Sequence, residues 1–235
     1  MRIKECNEIR LEEFGLASKE YVYFIRIDPE DLSLALQDIL EELCNLSWIS
    51  KFDSIAMQEC MKINARRTCD ALKDKFKTVT TEPVISDAGE YIVSVCSKRG
   101  VVEKLGHNDI PLAELLGRKV LGNPGFDFFT EEAKLQLVTC GEAKYVHGKN
   151  AYTTSLKQIN DFIDLKKHIG DIILLRDLAS DYSINNLANN KFGICSAFSS
   201  TAIPSSTLIS NICANSDFKQ ALKYEYIVLV AVDFI

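Results

Sequence analysis

Two acids and a lysine stand out for the chemistry they could do together: Asp127 in Gly125-Phe126-Asp127, and Glu142 and Lys144 in Gly141-Glu142-Ala143-Lys144. Glu142 and Lys144 stand two apart in the apolar stretch from Leu135 to Tyr145, which predicts a strand. Period two sends both side chains to the same side of it. Charges at the end of a buried strand are costly unless something holds them there. Phosphodiester hydrolysis supplies a reason. It uses a hard cation, Mg2+ or Mn2+, held by carboxylates. The cation polarises a phosphate oxygen and acidifies a bound water. Asp127 and Glu142 are donors of that kind, and the carbonyl of Ala143 lies between the motif side chains. Lys144 can position the attacking water and offset charge on the phosphate; nearby carboxylates favour its charged form.

These residues must be brought together by a hairpin. Phe126–Phe129 predicts a short strand before the motif strand, with the polar stretch Thr130–Lys134 between them. A tight turn centred near Glu132 would set Asp127 opposite Val138. Pairing with Glu142 requires a later turn centre or a bulge. The plainer alternatives are an edge-strand ion pair for Glu142 and Lys144, and a turn or cap residue for Asp127.

Around the hairpin the pattern alternates. Tyr21–Ile27 reads as a strand, and Asp28-Pro29 opens a helix striped by Leu32, Leu36, Ile39, Leu40 and Leu43. A second helix runs from about Ser54 to Phe76, and Thr78–Pro83 reads as a boundary. A helix begins near Glu90 and ends before Gly106; Pro111–Leu116 is a short helical piece, and Asn123-Pro124-Gly125 signals a turn. After the motif come a helix over Ala151–Leu165, another between Asp171 and Leu187, a strand at Phe192–Phe198, a helix over Thr207–Leu222 and a strand at Tyr226–Phe234. The fold class is α/β, with a mixed sheet flanked by helices over residues 81–235 and an N-terminal α+β extension over residues 1–80 as a possible partner-docking region.

Asp127 followed by Glu142-Ala143-Lys144, in this order of elements, resembles the defining motif of the PD-(D/E)XK nuclease superfamily. Phe126 stands where that motif usually has proline. The resemblance spans roughly residues 87 to 200. It implies a restriction-endonuclease-like core and a metal-dependent nuclease acting on DNA. It further implies that Asp127, Glu142, the Ala143 carbonyl and the first-helix acid Glu90 form the metal shell, with Asp127, Glu142, Lys144 and Gln158 catalytic. Gln158 and Phe162 resemble the glutamine and aromatic of exonuclease-like branches. The Gly-Glu-Ala-Lys form after a long N-terminal extension resembles nuclease subunits that work beside a helicase or ATPase, as in Hachiman-type anti-phage defence. Two other readings stand beside this one: a catalytically inactive nuclease fold used for interaction or nucleic-acid binding, and an unrelated α/β protein with a chance Glu-X-Lys. Glu90 otherwise reads as a helix N-terminal acid, and Gln158 as a solvent-facing residue.

Bulk properties fit a globular chain: 235 residues, 47% hydrophobic and 26% charged. The net charge of -6 argues against tight autonomous DNA binding and leaves phosphate contact to local lysines such as Lys149 and Lys157. The eight cysteines are scattered, with no CxxC pair. Met1–Arg10 has no apolar signal core, so buried free thiols in a cytoplasmic protein are expected. No apolar run is long enough to span a membrane. His107, His147 and His168 form no metal-ligand spacing, and neither a phosphate-binding glycine loop nor a nucleophile elbow is present.

Overall fold

The structure, a computed structural model, describes residues 1–77, 86–116, 125–201 and 203–234. Among these, Arg2–Glu8 (β1), Val22–Asp28 (β2), Asn108–Asp109 (β3), Phe128–Glu132 (β4), Leu137–Lys144 (β5), Gly193–Ser200 (β6) and Tyr226–Asp233 (β7) form one seven-stranded sheet. Its order is β1-β2-β7-β6-β5-β4-β3. The centre is parallel, with β2, β7, β6 and β5 running together. Both edges are antiparallel, through β1 on one side and the β3–β4–β5 meander on the other.

The helices are Leu32–Cys44 (α1), Ile55–Lys77 (α2), Ser86–Leu105 (α3), Tyr152–Asp164 (α4), Lys167–Gly170 (α5), Ile172–Leu175 (α6), Asp181–Ala188 (α7), Ser205–Ala214 (α8) and Ser216–Ala221 (α9). They cover both faces of the sheet. Strand alternation explains why. Ile227, Leu229 and Ala231 of β7 pack with Leu156, Ile159, Phe162, Leu208 and Phe218, whereas Val228, Val230 and Val232 pack with Ile39, Ala65, Ile92 and Val101. One face thus lies under α4, α8 and α9, and the other under α1, α2 and α3.

Several elements differ from the sequence expectation. β1 was not foreseen: it is a polar edge strand whose side chains alternate between half-buried and exposed over much of its length. Pro111–Leu116 is not helical; it turns through Leu115 N–H to Leu112 O at 3.0 Å and Leu116 N–H to Ala113 O at 3.2 Å. The helix expected within Asp171–Leu187 is interrupted, because Ser180 caps a new one by accepting from the Ser183 N–H. The Thr207–Leu222 helix likewise breaks at Asn215, whose side chain accepts from the N–H groups of Asp217 and Phe218. The expected boundary at Thr78–Pro83 lies outside the described residues, as do Asn123 and Pro124 of the expected turn. On either side of that boundary the strands belong to one sheet. β2 pairs with β7, and the buried Arg26 guanidinium donates to both Asp233 carboxylate oxygens, at 2.9 and 3.1 Å.

Candidate active site

The β4–β5 hairpin decides the site's geometry. Its connection is Ala133–Gln136, closed by the Leu135 N–H donating to the Glu132 carboxylate, with Gln136 in the left-handed region at φ 57°. The turn is therefore centred beyond Glu132, and Phe128 pairs with Gly141. Continued by one residue, that register sets Asp127 against Glu142. Asp127 precedes β4 rather than lying within it. It still joins the ladder: its N–H donates to Gly141 O at 2.9 Å, and its carboxylate accepts from the Ala143 N–H at 2.7 Å.

Small residues make this approach possible. A Cβ on Gly141 would lie 2.3 Å from the Phe128 ring, so the Phe128 ring lies directly over the strand backbone before Glu142. A Cβ on Gly89 would lie 2.3 Å from the Tyr145 ring. That contact seats the N-terminal part of α3, with Glu90, against the end of β5. Ala143 between the motif side chains is fully buried.

The charged groups converge as the spacing suggested. The Lys144 ammonium lies 2.9 Å from Glu142 Oε1 and 3.2 Å from Glu90 Oε1. Glu142 is 1% exposed, and its second oxygen, Oε2, is buried with no hydrogen-bond partner among the described residues. A further acid, Glu114, is also buried; the neighbouring Ala113 N–H donates to Asp127 O at 3.1 Å, which brings this segment beside Asp127. Glu114 went unrecognised in the sequence because it lies on an irregular segment with no motif spacing to Asp127. Ser155 of α4 donates to the Glu142 carbonyl at 2.9 Å and accepts from Ser196, tying α4 to β5 at the motif. Gln158 is half-buried on α4 and makes no hydrogen bond to these groups among the described residues. Lys149 and Lys157 are exposed.

The electrostatics follow from Glu142, Asp127 and Glu90 around one lysine, with Glu114 acting on Asp127. Burial, then the Glu114 charge, raises Asp127 to about 7 against the opposing pull of Lys144 and the Ala143 N–H. Burial, then Asp127, holds Glu142 well above the ordinary carboxylate range, despite Lys144. Burial alone would lower Lys144, but Glu142, Asp127 and Glu90 outweigh it and raise its pKa. The site thus carries more acid than its own cation balances.

The donor set is made of hard oxygens, and one of them, Glu142 Oε2, is buried without a partner among the described residues, which fits a divalent cation in chemistry. Among the described residues, no three His, Cys, Asp or Glu side chains already stand in metal-ligating positions. The Lys144 ammonium lies between Glu142 and Glu90 and offsets part of the charge that a cation would meet. No helix of the described residues is long and apolar enough to cross a membrane. All eight cysteines are free; Cys69, Cys96, Cys140, Cys195 and Cys213 are buried, Cys6 and Cys44 half-buried, and Cys60 exposed.

Compared with protein-family models, curated proteins and solved structures, the chain matches none.

Proposed function

We propose that the chain is a metal-dependent phosphodiesterase of the PD-(D/E)XK type, a nuclease whose reacting centre is Asp127, Glu142 and Lys144. One observation carries the reading: the late turn of the hairpin brings Asp127 and Glu142 against each other at the buried end of the sheet, with the Lys144 ammonium 2.9 Å from Glu142. The order of elements supports it as well. α3 is followed by the antiparallel β4–β5 hairpin that carries the motif, then α4, then β6, the order of helix, hairpin, helix and strand that the resemblance implies.

In this reading Asp127 and Glu142 hold Mg2+ or Mn2+, with Glu90 and the Ala143 carbonyl as further donors. The bound cation would polarise a phosphate oxygen and acidify a water. Glu142 Oε2 is the oxygen available without breaking an existing hydrogen bond. The Ala143 N–H fixes one Asp127 oxygen and leaves the other to turn to the ligand. Lys144 is released from Glu90 to meet the phosphate and the attacking water. Exposed Lys149 and Lys157 flank the motif on its C-terminal side, as contacts for the phosphates of DNA, the substrate the resemblance implies. A helicase or ATPase partner, and a role in anti-phage defence, rest on the resemblance alone.

The second reading, an inactive nuclease fold serving as an interaction subunit, draws on the position of Lys144 between Glu142 and Glu90. Incubating the chain with single-stranded DNA, duplex DNA and RNA, with Mg2+, Mn2+ or chelator, separates the two. Metal-dependent cleavage lost in Glu142→Ala supports the nuclease. Intact substrate under every condition, alone and with its partner, supports the inactive fold.

A further inference from the structure

Independently of the nuclease reading, a cavity of about 540 Å³ opens between the end of α1, the 3₁₀ helix Ser47–Lys51, the middle of α3 and the stretch from β3 to Leu115. That volume is in the range of small-molecule sites. Trp48, Leu43, Leu112 and Leu115 give the lining its apolar part, and Lys51, Lys98 and Asp109 its charged part. Lys98 is 3% exposed, and its ammonium is pinned by Asp109 Oδ1 at 2.7 Å and Ile110 O at 3.3 Å. Lys51 is exposed. Two lysines against one acid make the lining cationic on a chain whose net charge is -6. The Trp48 Nε1–H is buried and has no acceptor among the described residues. A buried donor without an acceptor is costly, and an acceptor atom on a ligand would satisfy it.

One turn of chain touches both this cavity and the motif. Leu112 and Leu115 line the cavity and are joined by the Leu115 N–H donating to Leu112 O at 3.0 Å. Between them, the Ala113 N–H donates to Asp127 O at 3.1 Å, and Glu114 is the buried acid whose charge acts on Asp127. We infer that the cavity is an effector site for a nucleoside monophosphate, whose binding steadies the turn that sets Ala113 and Glu114 beside Asp127. A base lies against the apolar part of the lining, where stacking on the Trp48 indole is favourable, and its carbonyls or ring nitrogens are acceptors for the Nε1–H. The phosphate monoester, close to a dianion at neutral pH, takes the side of Lys51 and Lys98. Inorganic phosphate alone leaves the apolar lining uncovered, and a neutral nucleoside leaves the lysines without an added counter-charge. The link to the motif is reciprocal: whatever steadies the turn at one end is felt at the other.

Trp48 is the only tryptophan of the chain, so its fluorescence reports occupancy of the cavity directly. The full-length chain, kept in chelator so that no metal chemistry intervenes, is titrated with AMP, GMP, CMP and UMP, and with adenosine and inorganic phosphate for comparison. At least one nucleoside monophosphate should quench Trp48 saturably, and its nucleoside should bind several-fold more weakly. Lys98→Met should weaken binding several-fold. Should that buried variant fail to fold, Lys51→Met makes the same test at an exposed site. Trp48→Phe, followed by calorimetry, keeps a ring but loses the N–H and should also bind more weakly. Hydrogen exchange at the Ala113, Leu115 and Leu116 amides should slow when the nucleotide is bound. No saturable quenching by any of the four nucleotides would overturn the inference. Equal binding of nucleotide and nucleoside, or undiminished binding in a folded Lys51→Met, would overturn the role of the lysines. Unchanged exchange at the three amides would overturn the link to the motif.

Discussion

Asp127 brackets Glu142 across the end of the β4–β5 ladder: its N–H donates to the carbonyl before Glu142, at 2.9 Å, and its carboxylate accepts from the N–H after it, at 2.7 Å. Two acids are thereby fixed by backbone hydrogen bonds rather than by side-chain packing alone. The arrangement survives only if the strands keep their register and the small residues around them stay small.

Gly141→Ala tests that packing. The new Cβ would fall 2.3–2.6 Å from ring atoms of Phe128, a fully buried residue with no room to yield. Overpacking of this kind costs about 1–3 kcal/mol. Chemical denaturation should show that loss, and the double variant Gly141→Ala/Phe128→Leu should recover part of it. An unchanged midpoint in the single variant would mean that the Phe128 ring is not held over β5.

Gly89→Ala acts on the other wall of the site. Its Cβ would meet the Tyr145 ring at 2.3 Å, so the N-terminal part of α3 must move away from β5, or Tyr145 must swing out. The movement of α3 carries Glu90 off Lys144. The variant should weaken Mn2+ binding several-fold with a smaller change in stability, read by calorimetry and thermal denaturation. Equal Mn2+ affinity in the variant and its parent would remove Glu90 from the metal shell.

The hairpin and its motif were legible in the sequence because Glu142 and Lys144 interrupt a run of small and apolar residues from Leu137 to Ala143, which only a buried strand explains. Their partner was half legible. The residue type of Asp127 was informative, but the register depended on where the turn falls, and that is set by the Glu132 carboxylate on the Leu135 N–H and by Gln136 at positive φ, neither of which follows from local propensity. Glu114 was invisible, since its proximity to Asp127 is a long-range contact made by an irregular segment. β1 was missed because an edge strand with one solvated side carries little apolar signal. The breaks at Ser180 and Asn215 are capping events inside otherwise continuous helical patterns, and cap residues also occur mid-helix.

The raised Asp127 gives a pH dependence with a definite sign. Its folded value of about 7 exceeds the ordinary 3.8, so between those values the folded chain holds a proton that the unfolded chain releases. Its contribution to stability is therefore complete below about pH 4 and is lost as pH rises through 7. Asp127→Asn keeps an acceptor for the Ala143 N–H but removes this titration. The metal-free variant should be more stable than the parent near pH 8, by roughly 1–3 kcal/mol. Mn2+ affinity of the parent should increase over the same window, because the ligand must lose its proton. A parent stability that stays flat from pH 4 to 8 would contradict the buried, acid-crowded setting of Asp127.

Residues 1–28 should behave as part of the same cooperative unit as the motif strand. Arg26 is 7% exposed and gives its hydrogen bonds to Asp233, Ser205 and the carbonyls of Thr201 and Ile203. Asp233→Ala would leave that guanidinium buried without its carboxylate, at a cost of about 3–5 kcal/mol. Unfolding followed by tryptophan fluorescence from Trp48 and by far-ultraviolet circular dichroism should shift together. Separate transitions would indicate an N-terminal unit that folds alone.

The most direct test of the central claim compares Glu142→Ala with Lys144→Ala in one preparation, freed of contaminating nuclease, by Mg2+-dependent cleavage and by Mn2+ calorimetry. Both variants should lose cleavage. They should part in binding: Glu142→Ala loses the carboxylate with the free buried oxygen and binds Mn2+ much more weakly, whereas Lys144→Ala removes an ammonium 2.9 Å from Glu142 and binds Mn2+ as tightly as the parent or more so. Cleavage that persists in both variants would contradict the account and make Glu142 and Lys144 a structural ion pair.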